Sequence, residues 1–126
     1  MKKFGDIMII LYDSLTGNVL RFVRKLSIEA TQIASDMSIY EDFVLITFTT
    51  GFGEVPGTTK AFLAKNHRHL KGIASSGNKN FGTNFAAAAN KIASQYDVPI
   101  ILTFELSGTP TDVELFTKGL NKIEAH

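Results

Sequence analysis

Residues 7–26 read IMIILYDSLTGNVLRFVRKL, and this stretch decides the fold. Ile7 to Tyr12 is a short unbroken apolar run rich in β-branched residues, the pattern of a strand covered on both faces in a parallel sheet. After a loop of hydroxyls and glycine, Val19, Phe22, Val23 and Leu26 recur at i, i+3, i+4 and i+7, with Arg21, Arg24 and Lys25 between them. That spacing predicts a helix lying on the sheet. A buried strand running through a short loop into a packed helix is the opening of a β-α-β unit.

The alternation continues outward from there. Ile28 to Ala34 and Phe43 to Thr49 (FVLITFT) read as the second and third strands, and a helix is expected from about Thr58 to Asn66. A short strand follows around Leu70 to Ser75. Phe85, Ala88, Ala89, Ile92, Ala93 and Tyr96 trace one helical face, Ile100 to Glu105 (IILTFE) reads as the last strand, and Val113, Phe116, Leu120 and Ile123 mark a final helix. Five strands alternating with four helices, without repeat or linker, predict an α/β fold. The expected form is an open, doubly wound, five-stranded parallel sheet with helices on both faces. At 126 residues, 44% of them hydrophobic, the chain suits a single domain spanning residues 1–126.

Composition narrows the chemistry. The chain has no cysteine, which removes disulfides, thiol catalysis, iron–sulfur clusters and thiolate zinc sites together, so any redox chemistry must come from a bound cofactor. Thirteen basic and twelve acidic residues give a net charge of +1 and read as spread along the chain, which suggests neither a nucleic-acid footprint nor a polybasic membrane anchor. His67 and His69 near a helix end and His126 at the terminus read as solvated residues rather than metal ligands. The apolar run of MKKFGDIMIILY falls short of a signal-peptide core and follows Asp6, so a soluble cytoplasmic protein is expected.

In open α/β sheets ligands bind beyond the carboxyl ends of the strands. The glycine and hydroxyl clusters fall there: Asp13 to Asn18, Thr49 to Gly57, Ser75 to Asn84 and Ser107 to Thr111. In the first, Ser14, Thr16 and Asn18 surround Gly17 where the first helix begins, an arrangement that offers backbone N–H groups and hydroxyls to a terminal phosphate. It lacks both the GxxxxGK[ST] of a nucleoside triphosphatase and the GxGxxG of a dinucleotide fold, so a monophosphate fits better than ATP. The alternative is that Ser14, Thr16 or Asn18 simply caps the helix. TTGFGEVP sets Phe52 between glycines, and SGNKNFG sets Phe81 before Gly82. Such aromatics can stack on a planar ring or fold back onto the sheet edge. A phosphate at one end and a flat ring at the other describe FMN.

Taken together, DSLTGNVLRF, TFTTGFGEVPGTT, ASSGNKNFG and FELSGTPTDVE resemble the NrdI family, flavodoxin-like stimulatory proteins of class Ib ribonucleotide reductase. The likeness runs from about Ile7 to Leu120. It implies a flavodoxin-like sheet in the order 2-1-3-4-5 and one noncovalent FMN, reduced by a partner protein. It further implies that the reduced flavin reacts with O2, and that superoxide or a related oxidant passes to the dimanganese small subunit to help form its tyrosyl radical. On the family pattern, Ser14, Thr16, Gly17, Asn18 and Val19 would hold the phosphate. Thr49, Thr50, Gly51, Phe52 and Gly53 would line one side of the ring, with Asn78, Asn80, Phe81 and Gly82 on the other. The FELxGT segment corresponds to Phe104–Thr109 and would bring Glu105 and Leu106 to the pyrimidine edge or the partner-facing rim. Glu105 and Asp112 read equally well as a solvated strand end and a helix-start acid. No nucleic acid or membrane enters this reading.

Two rivals share the outline. A generic flavodoxin would use the same site to carry electrons, but such carriers look longer and more acidic. A phosphate-binding receiver module needs an acidic pair after strand one and an aspartate ending strand three, whereas this chain has a lone Asp13 and Thr49-Thr50.

Overall fold

The computed structural model describes residues 8–124, with the side chains of Phe81 and Thr83 outside that description. Its strands are β1 (Ile9–Tyr12), β2 (Ala30–Gln32), β3 (Phe43–Phe48), β4 (Leu70–Gly77) and β5 (Ile100–Glu105). The helices are α1 (Asn18–Lys25), α2 (Gly57–Asn66), α3 (Ala87–Tyr96) and α4 (Pro110–Glu124), with short 3-10 turns at His67–His69 and Lys79–Asn84. All strands are parallel, in the order β2-β1-β3-β4-β5.

β3 shows why a central strand is apolar over most of its length. Phe43 and Leu45 face one core with Phe62, Leu63, Ala89 and Ile92 of α2 and α3, while Val44 and Ile46 face the other with Val19, Phe22, Phe116 and Leu120 of α1 and α4. The two-residue period delivers alternate side chains to two helical layers, so Phe43 to Ile46 are all apolar, and the one polar residue of the strand, Thr47, is buried with its hydroxyl 2.8 Å from Thr59 Oγ1. The α1/α4 layer is keyed by Phe22, which stacks on Phe104 (centroids 4.1 Å apart) and meets Phe116 edge-on (5.8 Å). Each fully buried phenylalanine contributes roughly 1.5–3 kcal/mol through burial. No helix among the described residues is long and apolar enough to cross a membrane.

Several boundaries differ from the sequence expectation, each for a physical reason. β2 is only Ala30–Gln32, because it is an edge strand paired with β1 alone and its Thr31 and Gln32 face solvent. β4 runs past Ser75 to Gly77. The buried hydroxyls that read as loop residues are satisfied across the strand end: Ser75 Oγ donates to the Ala86 carbonyl (2.7 Å) and accepts the Ala89 amide (3.1 Å), and Ser76 Oγ donates to the Leu106 carbonyl (2.6 Å). Phe85, assigned by periodicity to the third helix, precedes it, since the chain turns through left-handed Ala86 before α3 begins. Thr49 lies just beyond β3, and Ile7 of the expected first strand lies outside the described residues.

Candidate functional site

The loops after β1, β3, β4 and β5 meet at the carboxyl edge of the sheet and enclose a cleft of about 260 Å³. Ser14, Thr16, Asn18 and Val19 line it from the first loop, Thr49, Thr50 and Gly51 from the second, Asn78 from the third and Leu106 from the fourth. Leu15, Ser76, Gly77 and Asn84, which fall within the expected loop clusters without being named as contacts, and Phe48 complete the wall. Ser76 and Gly77 escaped because a strand end and a loop look alike in sequence when the strand carries serines.

At one end of the cleft, Gly17 occupies the N-cap of α1 with φ +96, a left-handed conformation natural to glycine, and no side chain caps the helix from that position. The first helical bond is Arg21 N–H to the Gly17 carbonyl (2.9 Å), so the amides of Asn18 and Val19 precede the ladder and face outward, where the helix dipole adds partial positive charge. Ser14 Oγ accepts the Leu20 amide (3.2 Å), so Ser14 does perform part of a capping function.

Arg21 is the charged group that the sequence reading placed only between the apolar positions of the first helix. Helical side chains lean toward the N-terminus, and Arg21, one turn beyond Gly17, folds back so that a Cβ at Gly17 would stand 2.9 Å from its Nη1. Its Nη2 donates to Asn18 Oδ1 (2.5 Å) and its Nε to Ser107 Oγ (2.9 Å), while Ser107 Oγ donates to Asn18 Oδ1 (2.9 Å). Lys25 Nζ adds bonds to the Ser107 and Gly108 carbonyls (3.1 and 2.9 Å). The loops after β1 and β5 are thereby tied into one rim carrying two cations.

Beneath the first loop lies a buried polar chain. Thr59 Oγ1 donates to Asp13 Oδ2 (2.7 Å) and lies 2.8 Å from Thr47 Oγ1. Burial pushes the Asp13 carboxyl above its ordinary value of 3.8, an effect opposed in part by the Thr59 hydroxyl and the Ser14 amide.

At the other end, Thr50 and Glu54 pair across a tight turn (2.9 and 2.7 Å) that carries Phe52 at its tip, 76% exposed. Thr49 Oγ1 accepts the Ala88 amide (3.3 Å), fixing this loop to the start of α3. Gly77 packs so closely on the next segment that a Cβ there would fall 2.3 Å from the Ala86 nitrogen. Asn78 Oδ1 accepts the Asn80 amide (2.9 Å) and opens the 3-10 turn.

Gly17, Phe52, Gly53, Asn80, Gly82 and Glu105 do not line the cleft. Gly17 and Gly53 shape the loops that do, Asn80 and Gly82 belong to the adjoining turn, and the Phe81 ring lies outside the described side chains. Glu105 accepts the Lys79 amide (3.2 Å) and borders a neighbouring hollow with Lys79 and Asp112. Asp112 itself closes a reciprocal cap: its Oδ2 accepts the Thr109 amide (2.8 Å), and Thr109 Oγ1 accepts the Asp112 amide (3.1 Å). The helix-start reading of Asp112 is therefore the structural one. His67 stacks on Tyr96 and His69 lies 3.4 Å from Asp42; no cluster among the described residues could hold a metal ion.

A five-stranded parallel sheet in the order 2-1-3-4-5, with a polar cleft at its carboxyl edge, defines a flavodoxin-like protein. Solved structures agree on that fold. A short-chain flavodoxin associated with a non-canonical PDU bacterial microcompartment superposes with a TM-score of 0.66 at 19% identity, covering 91% of this chain and 96% of that one. A Streptococcus pneumoniae TIGR4 flavodoxin gives 0.65 at 18% identity, covering 92% and 96%. More specifically, the chain belongs to the NrdI flavodoxin-like family, whose model matches residues 10–118. Protein NrdI of Bacillus licheniformis is 53% identical over 115 residues, 90% of this chain and 88% of the relative. The SPbeta prophage-derived protein NrdI of Bacillus subtilis is 42% identical over 119 residues, 91% and 92%.

Proposed function

We propose that this chain binds one FMN noncovalently in the cleft and, in the cytoplasm, serves class Ib ribonucleotide reductase as the redox activator of its dimanganese small subunit. The carrying observation is the cradle at the start of α1: two unladdered amides, a left-handed glycine and flanking hydroxyls in a chain of the NrdI family. Those groups fit a phosphate monoester. The Asn18 and Val19 amides and the hydroxyls of Ser14 and Thr16 would hold the phosphate, and Arg21 would stand behind it as a cation. Thr49, Thr50, Gly51 and Asn78 would flank the ring, with Leu106 covering it from the fourth loop, and the turns that carry Phe52, Gly53, Asn80 and Gly82, with Glu105 at the end of β5, would stand outside these contacts.

When bound and reduced by a partner protein, FMN would supply electrons to O2, giving superoxide or a related oxidant for assembly of the tyrosyl radical. The chain's own part is to orient the ring and leave it open at the edge. Gly51 and Phe52 of the turn after β3, with Lys79, Asn80 and Gly82 of the 3-10 turn, are exposed near the cleft and would be suited to contact with the small subunit.

The test is tyrosyl-radical yield from a manganese-loaded small subunit with O2 and increasing reduced protein, with a generic flavodoxin as control. The expected result is a yield that rises with this protein and not with the control. Equal yields would replace the activator with a generic electron carrier; an absence of radical would remove the activator reading.

A further inference from the structure

The near-neutral total conceals a segregation. From Val55 to Tyr96 the sequence holds six lysines and arginines and no aspartate or glutamate, while the rest of the chain holds seven and twelve. Charge is therefore not spread evenly, contrary to the reading from composition. This basic segment contains α2 and α3, which cover the same face of the sheet, and all six of its lysines and arginines are exposed.

Between α2 and α3 runs a groove of about 410 Å³. Val55, Ala64 and Tyr96 give it an apolar lining, and Lys60 and Lys91 stand along it. Its one anion is Glu54, whose Oε2 lies 3.5 Å from Lys91 Nζ with both side chains about half exposed. Pairs so exposed contribute little, so another carboxylate can take the place of Glu54 at small cost. Glu54 also pairs through its backbone with Thr50, a residue of the cleft wall, so the groove abuts the loop that borders the candidate site.

We propose that this groove docks an acidic segment of a protein partner, seating an apolar side chain against Val55, Ala64 and Tyr96 and its carboxylates on Lys60 and Lys91. The complementarity is of charge and of surface. A nucleic acid would need a track of cations for successive phosphates and no anion within it, whereas this groove offers an apolar lining, two lysines and Glu54. The inference does not depend on the flavin or on the reductase reading.

The test is selection of a random peptide library on the purified full-length protein, followed by NMR mapping of a selected peptide on the 15N-labelled chain. We expect selected peptides to be rich in Asp and Glu around an aliphatic or aromatic anchor, with shifts at Ala64, Lys91 and Tyr96 that weaken with salt. The double variant Lys60→Glu, Lys91→Glu should lose about tenfold or more in affinity. Lys118→Glu with Lys122→Glu on α4 should lose far less. Selected peptides without acidic residues, shifts that map elsewhere, equal losses in both variants, or no selected binders would each overturn the proposal. Tighter binding of a single-stranded oligonucleotide to the same groove would assign it to nucleic acid instead.

Discussion

Thr16 lines the cleft and Arg21 folds back against Gly17, and the proposed phosphate contact gives them different signatures. A hydroxyl bond to a charged group contributes about 1.5–3 kcal/mol. Thr16→Ala should therefore weaken FMN roughly ten- to hundredfold while leaving riboflavin, which has no phosphate, nearly unchanged; fluorescence titration of both ligands checks this. Equal losses for the two ligands would mean that Thr16 supports the loop without touching the phosphate. Arg21→Gln removes a cation and loosens the bonds to Asn18 and Ser107. It should lower FMN affinity by about tenfold and flatten its dependence on salt. An unchanged salt dependence would make Arg21 a tie between loops and nothing more. Arg21 was hidden in the sequence because its spacing places it on the polar side of α1, and only the backward lean of helical side chains brings it to the loop. Ser14, Thr16 and Asn18 were legible as cleft-wall residues because short polar residues beside a glycine at a helix start serve either as caps, as Ser14 partly does, or as ligand contacts.

At the scale of elements, the chain of bonds from Asp13 through Thr59 to Thr47 ties β1, α2 and β3 together under the first loop. Thr59→Val would leave the buried Asp13 carboxylate without its side-chain donor and should cost about 1–3 kcal/mol in urea unfolding. The same carboxyl sets a pH dependence. Its pKa is raised by burial, so the folded protein holds the proton more tightly than the unfolded chain, and the fold is favoured at this site when the group is neutral. Asp13→Asn is neutral at every pH. Its stability relative to the parent should rise as pH climbs from 3.8 through the raised pKa, then level off; melts of both proteins across that range measure it. A relative stability that falls with pH would contradict the direction of the shift. At the other strand end, Gly77→Ala would drive a Cβ into the backbone of Ala86 and should lower the melting temperature and FMN affinity together. The long apolar strand β3 and the periodic helices α1 and α4 were readable because burial on two faces leaves a plain pattern. The edges were not: β2 ends where solvent begins, and β4 continues through serines whose partners lie in a distant loop.

For the molecule as a whole, the doubly wound parallel sheet followed from alternation and the meeting of four loops from where the glycines fall, while the strand order 2-1-3-4-5 came from the family resemblance. The charge segregation was written in the sequence but not in its composition, because a total of +1 averages over a basic segment of +6 and a remainder of −5. The central claim is a phosphate-anchored FMN in the cleft at the carboxyl edge, and the most direct measurement is the absorption spectrum of the protein after incubation with FMN and removal of free flavin. The account predicts a yellow protein retaining one FMN per chain, with riboflavin retained far less and FAD not at all. A protein that stays colourless, or that keeps riboflavin as well as FMN, would contradict it.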